Sequence, residues 1–72
     1  MNLLPGRYRH FKGNDYEVLG VATHSETREQ LAIYRPLYGN GGLFARPLGM
    51  FTEIVDRNGQ KQERFTYVGP MS

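Results

Sequence analysis

With two histidines and no cysteine among its 72 residues, the chain must draw any chemistry from imidazole, carboxylate, hydroxyl and guanidinium groups. The densest grouping is His24-Ser25-Glu26-Thr27. It holds an imidazole, two hydroxyls and a carboxylate, and a nucleophilic or acid–base site needs such groups within hydrogen-bond reach of one another. Successive residues on a strand point to opposite faces, however. The four therefore suit a turn, in which Ser25 and Thr27 bond to backbone groups and Glu26 pairs with an arginine. His10, His24 and Glu26 would supply a two-histidine, one-carboxylate metal set, but no HxH or HExxH spacing exists and no metal is expected. Leu37–Leu43 (LYGNGGL) has three glycines. It lacks the GxxxxGK[ST] and GxGxxG spacings of phosphate-binding loops, so it reads as a flexible connection and no cofactor is expected.

Arginine is the other chemically loaded residue. Seven of the nine cations are Arg, the side chain whose planar fork matches carboxylate and phosphate. Arg35-Pro36-Leu37 recurs as Arg46-Pro47-Leu48. Each copy reads as a strand stopped by a proline, which cannot donate to a ladder. The repeat also sets Arg35, Tyr38 and Arg46 around the glycine-rich loop. Consecutive antiparallel strands carry such ends to opposite sides of a sheet, so the two arginines converge only if the loop or the sheet folds back. His24, Glu26, Arg35, Tyr38 and Arg46 form the candidate ligand-binding set. Tyr8, Arg9 and Lys12 form an alternative one, because Arg7-Tyr8-Arg9-His10 interleaves cations with rings as single-stranded nucleic-acid grips do. The net charge of +2 is low for that role, where a dense basic patch is the usual footprint.

The elements that must position these residues are strands. Nine glycines and four prolines punctuate the chain, and aromatic and β-branched residues fill the short runs between them, as in a small barrel or sandwich. Arg7–Lys12 and Tyr16–Thr23 flank Gly13-Asn14, a two-residue hairpin signal. That turn would place Lys12 opposite Asp15, Phe11 opposite Tyr16 and His10 opposite Glu17. Gly20 suggests a bulge. His24–Glu29 reads as a connection or a single helical turn, since Thr27 and Gln30 fit a capping box. Further strands are Gln30–Arg35 and Leu43–Arg46, followed by a 3₁₀ turn at Pro47–Met50. The last two runs, Phe51–Asp56 and Lys61–Val68, surround Asn58-Gly59, the strongest short hairpin signal. That turn sets Asp56 opposite Lys61 and Glu53 opposite Arg64, and Gly69–Ser72 is a loose tail.

The expected fold is all-β, an SH3-like small barrel of five or six antiparallel strands. It is one domain over residues 1–72 with an ordered core over about 6–69. A chain this short buries only about 60% of its unfolded surface. Closure would spare it exposed edges, and an open twisted sheet that dimerises is the alternative. About five of the nine aromatics should be core, as the largest source of buried area. No apolar run reaches the roughly 18 residues of a membrane helix. The Met1–Gly6 start lacks the basic and apolar stretches of a secretory signal, and the expected location is cytoplasmic.

From Arg7 to Phe51 the sequence resembles a bacterial family of short stand-alone domains of unknown function. The resemblance rests on the YRHFKG opening, YEVLGVATHSET, the YG of the loop, and RPLGMF, with the final FTYVG also matching. It implies a compact β-rich fold and no assigned reaction. The favoured function is a small non-enzymatic binding module for an anionic small ligand or a protein partner. Such a module would work as monomer or homodimer, away from membranes. The alternatives are an RNA- or DNA-binding module and a small hydrolase-like enzyme using His24 and Glu26.

Overall fold

Side-chain alternation shapes the first strand. In β1 (Gly6–His10) Gly6 and Tyr8 are buried while Arg7 and Arg9 face water. The computed structural model describes residues 3–39 and 41–71. In chain order the other elements are β2 (Asp15–Thr23), β3 (Gln30–Pro36), β4 (Phe44–Pro47), a one-turn helix α1 (Leu48–Phe51), β5 (Ile54–Arg57), β6 (Gln60–Glu63) and β7 (Phe65–Gly69). The all-β expectation is borne out. The strands form a five-stranded antiparallel sheet in the order β4-β3-β2-β1-β7 and a separate β5-β6 ribbon. The large sheet is open, because the last hairpin pairs with itself and among the described residues no ladder joins β7 to β4.

The first hairpin adopts a different register from the expected one. Arg9 lies opposite Asp15, Tyr8 opposite Tyr16 and Arg7 opposite Glu17. The His10 N–H donates to Asn14 O at 2.8 Å, and the Gly13 N–H donates to His10 O at 2.7 Å. The loop is thus three residues long, Phe11–Gly13, with Gly13 at φ 108°. A type I turn closed by a left-handed residue is a common three-residue hairpin, and glycine supplies that residue without a Cβ clash. This register lets Asp15 bond both Arg7 and Arg9, at 2.7 and 2.8 Å.

The second hairpin matches its expected register. Asp56 faces Lys61, Val55 faces Gln62 and Ile54 faces Glu63. Asn58 and Gly59 have φ 55° and 80°, the mirror-image turn that fits strand twist. Glu53 pairs with Arg64 as expected. The Lys61–Val68 run is broken at Arg64, where the chain leaves β6 and enters β7 beside β1. The bulge falls at Leu19, beside Gly20: Val18 pairs with Tyr34 and Gly20 with Ile33.

His24–Glu29 is a turn with no helix. The His24 N–H donates to Glu29 O, and the Arg28 N–H to His24 O. The capping box does not form, since Thr27 Oγ1 accepts from the Glu29 N–H and the Gln30 side chain donates to Thr23 Oγ1. After Pro47 the chain makes one α turn rather than a 3₁₀ turn, closed by Thr52, whose N–H and Oγ1 both donate to Leu48 O.

One face of the sheet carries the core: Tyr8, Val18, Ala32, Tyr34 and Phe65 from the strands, with Leu48 and Phe51 from α1 laid across them. Phe51 stacks on Phe65 at 4.0 Å between ring centroids with 4° between planes, and Tyr8 and Tyr34 meet Phe51 edge-on. No helix among the described residues is long and apolar enough to cross a membrane.

Candidate functional site

The rings that build the core also shape a cleft. Tyr16 and Tyr34 share a face of the sheet, because Val18 pairs with Tyr34 and Tyr16 is two residues before Val18. Phe44 pairs with Tyr34 and Arg46 with Ala32, so both β4 side chains join that face. Phe65 lies opposite His10 across the β1–β7 ladder. The result is an open cleft of about 630 Å³, walled by β4 and Met50 on one side and floored by His10, Tyr16, Tyr34 and Phe65. Its size falls within the range of ligand sites.

Arg46 provides the charge. Its Nε–H donates to the Tyr34 hydroxyl at 3.2 Å, and its guanidinium carbon lies 5.9 Å from the Phe65 ring centroid. Ring and hydroxyl hold the head of a flexible side chain against the cleft floor. Among the described residues the ion pairs are Arg7 and Arg9 with Asp15, Arg35 with Glu17, and Arg64 with Glu53. Arg46 enters none of them. Among the described residues neither aspartate nor glutamate lines the cleft, so it is a cationic space walled by rings.

His10 sits at the inner end. Its ring meets Phe65 edge-on at 4.9 Å, and its Nδ1 accepts the Lys12 N–H. Burial lowers its pKa below the ordinary value of 6.5, and the positive charges of Arg64, Lys12 and Arg46 lower it further. The imidazole is therefore neutral at pH 7 and offers hydrogen bonding rather than a second charge. The hydroxyls of Tyr16 and Tyr38 bond to each other at 3.1 Å. Burial, with that bond, pushes Tyr16 up to about 12, which keeps its hydroxyl protonated as a donor.

The sequence-derived candidates are scattered over the molecule. Arg46 lines the cleft, and Tyr38 reaches it through Tyr16. Arg35 does not join Arg46. It neighbours Tyr34 along β3 and so faces the other side of the sheet, where it pairs with Glu17 at 2.7 Å. His24 and Glu26 occupy the exposed tip of the β2–β3 hairpin, about 25 Å from Tyr16 at strand rise. There His24 Nδ1 accepts the N–H groups of Glu26 and Thr27. His10 and His24 thus lie at opposite ends of the sheet. In the alternative set Tyr8 is a core ring, 6% exposed, and presents no stacking face. Arg9 is bound by Asp15, and Lys12 lies over its neighbour Phe11. Sequence reasoning did not assemble the cleft residues His10, Tyr16, Tyr34, Phe44 and Phe65 into a site. The available signal was Tyr16 and Tyr34 each two residues from an apolar core position, with Arg46 the same distance from Phe44.

Residues 6–67 match the family described as "Protein of unknown function (DUF1653)". The chain belongs to that family. A solved structure with the same architecture is a crystal structure of a DUF1653 protein from Bordetella bronchiseptica. It is 40% identical, with a TM-score of 0.87 over 97% of this chain and 92% of that one. No curated protein matches the chain. The match extends over the elements that build the cleft, from β1 into β7.

Proposed function

We propose that this domain is a non-enzymatic binding module whose site is the aromatic cleft, taking a ligand with a single anionic group and an apolar or flat body. The supporting observation is Arg46: an arginine held by a tyrosine hydroxyl and a phenylalanine ring, facing a cleft that no aspartate or glutamate among the described residues lines. A cation left unmatched among rings gains more from an anion than one in open water, because the local dielectric is lower. The Tyr34 hydroxyl accepts from Arg46 and keeps its own hydrogen to donate beside it. One cation in the cleft suits one carboxylate or phosphate better than a polyanionic strand, and Arg7, Arg9 and Arg35 are engaged by Asp15 and Glu17.

The test is an amide NMR titration of the labelled domain with benzoate and with phenyl phosphate. Shift changes are expected to cluster on His10, Tyr16, Tyr34, Phe44 and Arg46, and Arg46→Gln is expected to abolish them while leaving a dispersed spectrum. Changes confined to His24–Glu29, or none with either probe, would overturn the reading.

A further inference from the structure

We propose that β4 is a docking strand: an extended peptide adds to its free edge and sets an acidic side chain against Arg46. This rests on the anion-binding reading and names the ligand class. β4 is the first strand in the order of the sheet, so its ladder with β3 uses one side of its backbone while the other has no strand partner among the described residues. An edge of this kind binds extended peptides through main-chain hydrogen bonds, and adjoining pockets select alternate side chains.

The cleft lies along that edge. Phe44 and Arg46 sit two residues apart on β4 and share its cleft face. A strand added beside β4 would bring its own residues opposite these two to within about 5 Å between Cβ atoms. The recognised pattern is therefore an acidic residue and an apolar one separated by a single position, the carboxylate meeting Arg46 and the apolar side chain meeting Phe44. Leu43, Phe44 and Met50 stand 63, 47 and 49% exposed along this rim. A compact anion could satisfy Arg46 yet would leave that rim in water. An extended chain covers it and also bonds the backbone edge.

Charge complementarity favours this edge over the other one. β7, the far edge, borders a second hollow that Glu63 lines, and the cation there, Arg9, is engaged by Asp15. Pro47 has no N–H and ends the docking stretch, so the added ladder is short and the side chains must carry the selectivity.

The experiment is selection of phage-displayed random decapeptides on the intact domain, followed by synthesis of the enriched sequences and fluorescence-polarisation titration. Enrichment of an acidic residue two positions from an aromatic or aliphatic one is expected. Acid-to-amide replacement in the peptide, or Arg46→Gln in the domain, should weaken binding at least about tenfold, the scale of one charge-assisted hydrogen bond. N-methylation of alternate peptide amides should weaken it in one phase of the alternation and not the other. Acid-dependent binding that ignores N-methylation would overturn strand addition and leave the anion site standing. Binding sensitive to N-methylation but indifferent to the acid would overturn the role of Arg46. A selection that enriches nothing would overturn the peptide proposal outright.

Discussion

The two ends of the β2–β3 ribbon use similar side chains to opposite ends. At the cleft end, a histidine, three tyrosine hydroxyls and an arginine are set among rings: Tyr16 meets Tyr34, Tyr38 and Phe65 edge-on at 5.5 to 5.9 Å. At the tip, residues 21–30 are all exposed. His24, Thr27 and Glu29 there bond to the turn's own backbone and side chains. A polar group becomes a recognition element when its surroundings both fix it and exclude water. At the tip the same chemistry is spent on closing a loop.

The largest test of this contrast is Phe65→Ala. Phe65 is 4% exposed, stacked on Phe51 and touching rings from three strands. Its truncation is expected to cost about 3–5 kcal/mol, enough to unfold a domain whose core supplies on the order of 3–5 kcal/mol. Glu26→Ala at the tip is expected to stay within about 0.5 kcal/mol. Urea denaturation of the two variants measures both, and equal losses would erase the distinction. Tyr34→Phe sharpens it: the ring stays, but Arg46 loses its acceptor, at a cost of about 0.5–1.5 kcal/mol. Loss of the Arg46 Nε–H resonance from its hydrogen-bonded position would report the release directly.

Arg28→Gly carries a smaller effect of opposite sign. Arg28 has φ 67°, a left-handed conformation that strains a residue with a Cβ. Glycine is expected to stabilise the tip by less than about 1 kcal/mol, because its greater freedom in the unfolded chain offsets part of the relief. The melting temperature of the variant should rise slightly. A fall would mean that the Arg28 side chain holds the turn. The smallest effect lies in pH. The folded state holds His10 below its ordinary pKa. As pH falls from about 6.5 the unfolded chain therefore binds more protons than the folded one. The His10 contribution is present above that pH and is lost as pH drops through the lowered folded value. Thermal melts across pH 7 to 5 should show the loss, and His10→Gln should flatten it.

Much of the strand pattern was legible in local signals. Asn58-Gly59 fixed its hairpin to the residue, because both positions of that turn require φ > 0. Gly13-Asn14 misled by three residues in register. The sequence shows a glycine at a turn, yet the observed pairing is the one in which Asp15 serves two arginines and Tyr8 stands opposite Tyr16 in the ladder. The separate β6 and β7 were hidden because the run Lys61–Val68 changes partner at Arg64, an event that long-range packing dictates. The cleft was least legible. Arg46 stood out by its residue type, but the rings around it come from β1, β2, β3, β4 and β7, and no spacing in a linear chain records that convergence. The order His24-Ser25-Glu26-Thr27 was conspicuous for a reason unrelated to a ligand: short polar side chains are what an exposed turn needs.

The β5–β6 ribbon bonds to itself and to little else. Val55 is its one half-buried residue, the Glu53–Arg64 clasp closes its own base, and it is tied to the remainder by the Phe11 N–H on Arg64 O and Arg57 over the Phe11 ring. An appendage with so little buried area separates from the rest at low free energy. Its amides, from Val55 to Gln62, will exchange with solvent deuterium through openings that leave the five-stranded sheet intact. The molecule will therefore show two tiers of protection, and a protease will cut first near Asn58.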